Sequence, residues 1–223
     1  MPAIDLVIFD CDGVLLDSEI IACEADAAAY RVLGADITWQ EISALFSGVP
    51  DSDVDAQIAA DFSLTLPPDF RERIKARVEA LYRSDLQAVP GAAELLASVR
   101  GRSCIASSSA PAKLALGLVE CGLYELVYPH IYATALVAKG KPAPDIFLYA
   151  AAQRGVVAER CIVLEDSIAG VTAARAAGIR CIGFDGASHI TEGHAARLRE
   201  AGAECVVSSL AGAQTLILEM MGD

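Results

Sequence analysis

Short runs of strand-forming residues recur along this chain, separated by stretches in which apolar residues return every three or four positions. The first run, LVIF at 6–9, is apolar throughout and stops at Asp10. Further strand candidates lie at 103–106, 130–133, 161–164, 180–184 and 204–207. Between them, Ala92, Leu95, Leu96 and Val99 follow the i, i+3, i+4, i+7 spacing of a buried helix face. The same period joins Phe147, Ala150 and Ala151 after Pro144, whose fixed φ suits a first helical turn. Ile168, Val171 and Thr172 open another helix that Gly178 can stop, and Leu210, Ala213, Ile217 and Met220 mark the last. Apolar strands alternating with such helices predict an α/β fold: a parallel sheet with helices on both faces.

Residues from about 17 to 88 break this rhythm. Ile21, Ala25, Ala28, Ala29 and Val32 repeat at helical spacing until Gly34 ends the run. Phe70, Ile74, Val78, Leu81 and Tyr82 do the same after Pro67 and Pro68, with no convincing strand between. The expected organisation is a sheet domain of 1–16 and 89–223 interrupted, after its first strand, by a helical insertion of 17–88. No repeat or low-complexity tract is present.

Composition narrows the class. A chain of 223 residues, 54% hydrophobic, fits one large domain or one domain with an insertion. No apolar run approaches the ~18 residues of a spanning helix. The first strand begins by about Ile4 with no basic region or small-residue cleavage site before it, so a signal peptide is not expected. The formal charge of −13 argues against nucleic acid and anionic membrane surfaces as partners. An acidic protein still holds an anionic substrate where a metal and a few cations act locally. None of the seven cysteines forms CxxC, and Cys104, Cys161, Cys181 and Cys205 sit in strand-like contexts. They are read as reduced small hydrophobes of a cytoplasmic protein. Cys11 lies between two acids; it is expected to face the core, with a redox role as the alternative.

The chemistry gathers where the strands end. In open parallel sheets the ligand crevice lies outside the carboxyl ends of the strands. Asp10, Asp12 and Gly13 follow the first strand; Ser107, Ser108 and Ser109 follow the second. Lys141 comes after the third, Glu165, Asp166 and Ser167 after the fourth, and Asp185, Gly186, Ser188 and His189 after the fifth. Singly, each group has a plainer use as a cap, a loop or a surface charge. Together they suit an oxygen-ligated Mg²⁺ beside a phosphate. Asp10 and Asp166 offer carboxylate oxygens to the metal, and the Asp12 carbonyl offers another. Ser107 and nearby amides hydrogen-bond the phosphate, whose charge Lys141 helps neutralise. Asp10 is then the candidate nucleophile on phosphorus, giving an aspartyl-phosphate. Asp12 is the candidate acid and base for the leaving alcohol and the attacking water. Gly13 permits the tight turn that brings Asp12 round.

These motifs resemble those of the haloacid dehalogenase superfamily, in its capped phosphatase and β-phosphoglucomutase-like branch. DCDGV (10–14) is similar to the first motif, with Asp10 as nucleophile and Asp12 as acid and base. ASSS (106–109) matches the second, placing Ser107 and Ser108 by the phosphate, and KPAPDIF with Lys141 matches the third. LEDSIAG (164–170) matches the fourth, with Asp166 on magnesium and Glu165 in or beside the metal site. The resemblance implies a Rossmann-like core with 17–88 as a mobile cap that excludes water during the first step.

The resemblance also frames the choice of activity. Dehalogenases need neither a second acid nor Mg²⁺, so Asp12, Glu165 and Asp166 argue against them. The mutases carry a cap histidine twelve residues after the nucleophile, where this chain has Ala22, and a cap-loop arginine that falls near Asp51. The expectation is therefore Mg²⁺-dependent hydrolysis of a small phosphorylated sugar or related metabolite. A phosphomutase is the alternative, and a non-catalytic phosphometabolite-binding protein is the alternative of another class. Within the cap, Gly48 and Val49 are expected nearest the phosphate. Arg71 and Lys75, with Arg73 and Arg77, are candidates for an acidic substrate or else a solvated helix face. His189 and Ser188 are candidates for the site entrance; His130 and His194 are read as structural or exposed.

Overall fold

The apolar runs pair into one all-parallel sheet. The computed structural model describes residues 3–46 and 51–222. Its strands are β1 (Leu6–Phe9), β2 (Ser103–Ser107), β3 (Ile131–Ala133), β4 (Cys161–Glu165), β5 (Arg180–Phe184) and β6 (Cys205–Val207). They run in the spatial order β3-β2-β1-β4-β5-β6, the order of a Rossmann-type sheet. The order reverses between β1 and β4, and there the sheet opens its crevice. Phe9 pairs with Ile105 on one side and Leu164 on the other, so the residues after β1 emerge beside those ending β4. The Asp10 amide extends this ladder, donating to the Leu164 carbonyl at 3.0 Å.

The chain divides into two compact units, Met1–Asp17 with Gln87–Asp223, and Ser18–Leu86. In the first, helices cover both faces of the sheet. They are α5 (Ala92–Ser98), α6 (Pro111–Glu120), α7 (Tyr124–Val127), α8 (Asp145–Gln153), α9 (Ile168–Ala176), α10 (His194–Ala201) and α11 (Leu210–Met221). Alternation along the strands sends Leu6, Ile8, Cys104, Ala106, Cys161 and Val163 to one face, where they pack with Phe147 and Ala150 of α8 and Val171 and Ala174 of α9. Both faces of β1, β2 and β4 are buried, which is why these strands read as continuous apolar runs.

The second unit is helical: α1 (Glu19–Val32), α2 (Trp39–Phe46), α3 (Asp51–Asp61) and α4 (Phe70–Asp85). Its buried residues include Tyr30, Val54, Ile58, Phe70, Ile74, Val78 and Tyr82, with the Tyr30 and Phe70 rings 5.0 Å apart. Among the described residues no helix is long and apolar enough to cross a membrane.

Candidate active site

Asp10 leaves β1 at the switch point, and the chain turns at once. The Leu15 and Leu16 amides both donate to the Cys11 carbonyl at 2.9 Å, and the Gly13 amide donates to Leu16 at 2.7 Å. Gly13 makes the turn at φ +78°, and a Cβ there would stand 2.0 Å from the Asp166 carboxylate. The loop thus returns Asp12 to the sheet edge, where the Ser109 hydroxyl donates to its carboxylate and the Lys113 ammonium lies 3.4 Å away.

From β4 come Glu165, its last residue, and Asp166. Oxygens of Asp10, Glu165 and Asp166 all lie within 4.8 Å of one another, and all three residues are buried. Lys141 bridges two of them, donating to Asp10 at 2.5 Å and to Glu165 at 2.8 Å. The other Glu165 oxygen accepts from the Ser167 amide at 3.0 Å and its hydroxyl at 2.8 Å, while the Ser167 hydroxyl caps α9 at the Gly170 amide. Gly170 is required there, because a Cβ would meet the Glu165 carboxyl at 2.0 Å. Glu165 is therefore an anchored acceptor that holds Lys141 in place.

Three carboxylates cluster here, and one ammonium pairs with two of them. Burial, followed by repulsion from Glu165, pushes the Asp10 carboxyl well above the usual carboxylate range against the pull of Lys141. For Lys141 burial opposes the charge, but Asp10 and Glu165 outweigh it and keep the ammonium protonated. A buried cluster carrying more negative charge than its lysine neutralises is a fit for a cation, since unpaired buried charge is costly. The donors are all oxygen, which suits a hard divalent ion over a thiolate- or imidazole-seeking one.

The serine triplet divides its work. Ser107 is buried at the end of β2, and its hydroxyl accepts from the Ser109 amide at 3.0 Å. Ser109 reaches Asp12. Ser108 is exposed, and its carbonyl accepts from Thr134 at 3.3 Å. Lys113 was invisible to motif reading. The signal for it was Pro111 at the first position of a helix that starts directly after the serine loop, which points its opening turn toward the site. His189 lies with its Nε2 3.3 Å from Asp166 Oδ2. His194, expected to be structural or exposed, donates from Nε2 to the Asp166 carbonyl at 2.6 Å. Ser188 donates its hydroxyl to Asp17 at 2.6 Å.

The substrate candidates of 18–86 fare differently. Arg71 donates to both Asp55 oxygens at 2.8 and 2.6 Å, to Asp26 at 2.8 Å, and to the Asp51 carbonyl at 3.1 Å. Its guanidinium is committed to neighbouring helices, which corrects its reading as a substrate contact. Lys75 is exposed on α4. Gly48 and Val49 lie outside the described residues. Cys11 is fully buried, and burial together with Asp12 and Asp10 drives its thiol pKa well above normal. Its complete burial fits the reading of Cys11 as a core side chain.

The Rossmann-like core thus gathers Asp-x-Asp after its first strand, a buried serine at the end of the second, and a lysine that meets Asp10 and the last residue of the fourth. The sequence profile of the haloacid dehalogenase-like hydrolases matches residues 4–178, and the chain belongs to that family. It is 30% identical over 207 residues to a phosphorylated carbohydrates phosphatase of Thermotoga maritima, covering 91% of this chain and 94% of that one. It is 28% identical over 185 residues to the 6-phosphogluconate phosphatase of Escherichia coli K12, covering 82% and 84%. A hydrolase of the same family from Deinococcus radiodurans R1, solved with bound phosphate and sodium, superposes with a TM-score of 0.85 at 35% identity, covering 98% of this chain and 96% of that one.

Proposed function

We propose that the protein is a Mg²⁺-dependent phosphatase that hydrolyses a small phosphomonoester, a sugar phosphate or related metabolite, through an aspartyl-phosphate on Asp10. The observation that carries this is the buried trio Asp10, Glu165 and Asp166 with Lys141 bridging the first two and Asp12 two positions beyond Asp10. Asp10 and Asp166, with the Asp12 carbonyl and Glu165 beside them, would hold the ion. Bound there, Mg²⁺ would offset the carboxylates' charge and polarise the phosphoryl oxygens. Ser107, Ser108 and Lys141 would orient the phosphoryl group.

A carboxylate oxygen of Asp10 attacks phosphorus and the bond to the ester oxygen breaks. Asp12 gives its proton to the departing alkoxide, releasing an alcohol. Asp12 then takes a proton from water, the hydroxide oxygen bonds to phosphorus, and the Asp10–phosphorus bond breaks to free phosphate and the carboxylate. Proton transfer of this kind contributes ~10²–10⁴-fold. Relatives named for phosphorylated carbohydrates and 6-phosphogluconate support a polyol or sugar ester as substrate. We assign 17–88 the part of a cap that selects it, with Gly48, Val49 and Lys75 as its substrate residues and Arg71 left out. Residues 18–86 contain no histidine, which favours hydrolysis over a mutase. We place the protein in the cytoplasm, where its seven free thiols would persist.

Phosphate release from p-nitrophenyl phosphate and a panel of sugar and sugar-acid phosphates, with Mg²⁺ and after chelation, tests this. Turnover should require Mg²⁺ and vanish in Asp10→Asn. Full activity in that variant would overturn the role of Asp10.

A further inference from the structure

The chain has only three histidines, and two of them meet the same acid. Both come from the segment after β5. His189 presents Nε2 to Asp166 Oδ2 at 3.3 Å, with a side chain only 15% exposed. Its ring closes on the turn after β1: a Cβ on Gly13 would stand 3.0 Å from His189 Cε1. His194, at the start of α10, meets the Asp166 carbonyl oxygen at 2.6 Å. A carbonyl only accepts, so His194 Nε2 carries the proton. Arg197 only donates, and its guanidinium lies 3.3 Å from His194 Nδ1, so that nitrogen is the acceptor. The tautomer of His194 is thereby fixed from both ends. The third histidine, His130, is bonded to Arg154 and plays no part here.

Resting on the metal site proposed above, we infer that His189 and His194 are positioning residues that clamp Asp166, one at its carboxylate and one at its backbone, and so set the affinity of the site for its cation. Two contacts from one segment, the 3.3 Å approach of His189 to the carboxylate and the His194 hydrogen bond to the carbonyl, hold both the side chain of Asp166 and the peptide that carries it. A preorganised carboxylate does not lose side-chain freedom when the ion arrives. Partners of a metal ligand typically change affinity 10–100-fold when removed.

The test is calorimetric titration of the full-length, metal-free protein with Mg²⁺ alone, independent of turnover. His189→Leu fills the same space against Gly13 but donates nothing; His189→Gln restores an N–H donor. The Kd for Mg²⁺ should rise on the order of 10-fold or more in His189→Leu and return to within about threefold of wild type in His189→Gln. His194→Ala should weaken binding in the same direction. Thermal unfolding of each metal-free variant shows that the fold is intact, a readout that a purely structural role would move instead of the Kd. Wild-type affinity in His189→Leu overturns the clamp while leaving the phosphatase reading in place. Failure of the wild-type protein itself to bind Mg²⁺ overturns the metal site and the clamp together.

Discussion

Gly13 shows how closely the site depends on single residues. Its φ of +78° and the 2.0 Å approach of Asp166 exclude any side chain twice over, once by backbone and once by contact. In Gly13→Ala the methyl group must displace the Asp166 carboxylate. We expect Mg²⁺ binding to weaken on the order of 10-fold or more, with a stability loss on the order of 1 kcal/mol from the left-handed backbone. Wild-type Mg²⁺ affinity by calorimetry would mean that Asp166 is not held where the turn requires it. Asp10, Asp12 and Asp166 are legible as candidates because each comes just after an apolar strand, and Lys141 because it precedes Pro142 at the entry to a helix. Lys113 and the carbonyl contact of His194 depend on the angle of a helix start and on a loop path, and neither leaves a periodic trace. Arg71 differs for the opposite reason: a cation on a helix face looks available when two of the acids that hold it, Asp51 and Asp55, come from a helix the pattern does not reveal, and the third, Asp26, from a helix whose neighbour the pattern does not name.

At the scale of elements, the arginine cluster of the second unit has a pH consequence. Asp26 of α1 is raised to about 6 by burial, which outweighs its ion pair with Arg71 of α4, and by repulsion from Asp51 and then Asp55 of α3. The Tyr30 hydroxyl donates to Asp55 at 2.5 Å within the same group. One guanidinium is shared by three carboxylates. Because the folded value lies above the unfolded one, the contribution of Asp26 to stability is complete below about pH 4 and is lost as pH rises through 6. Asp26→Asn keeps an acceptor for Arg71 and removes the titration. Denaturant unfolding should show the variant gaining on wild type by on the order of 2 kcal/mol between pH 4 and pH 7. A gap that stays flat across that range would contradict the burial of Asp26.

The elements differ in how plainly sequence announces them. Buried strands and helices with one apolar stripe, such as α5, α9 and α11, are visible because their period is set by the sheet they cover. Helix α3 was missed because only Val54 and Ile58 of its eleven residues are buried. Helix α2 had a signal that periodicity does not use: Thr38 and Glu41 form a reciprocal capping box, with the Thr38 amide on Glu41 at 2.8 Å and the Glu41 amide on the Thr38 hydroxyl at 3.3 Å.

For the whole molecule, the order of the strands matters more than their number. Placing β1 beside β4 at the reversal joins residues more than 150 positions apart into one acid cluster, and no local pattern encodes that neighbour choice. Strand alternation predicted a parallel sheet; the pairing that makes a site of it is decided by tertiary packing. The net charge of −13 also takes on meaning at this scale. An anion approaches such a protein only where cations act locally, so the acid cluster, the ion it would hold and Lys141 must work as one unit. That unit is tested most directly by incubating the protein with Mg²⁺ and acetyl [³²P]phosphate, quenching in acid and mapping the label. We predict a hydroxylamine-labile phosphate on Asp10 that is lost in Asp10→Asn and on chelation. Undiminished turnover in Asp10→Asn, or label mapped to any other residue, would contradict the account.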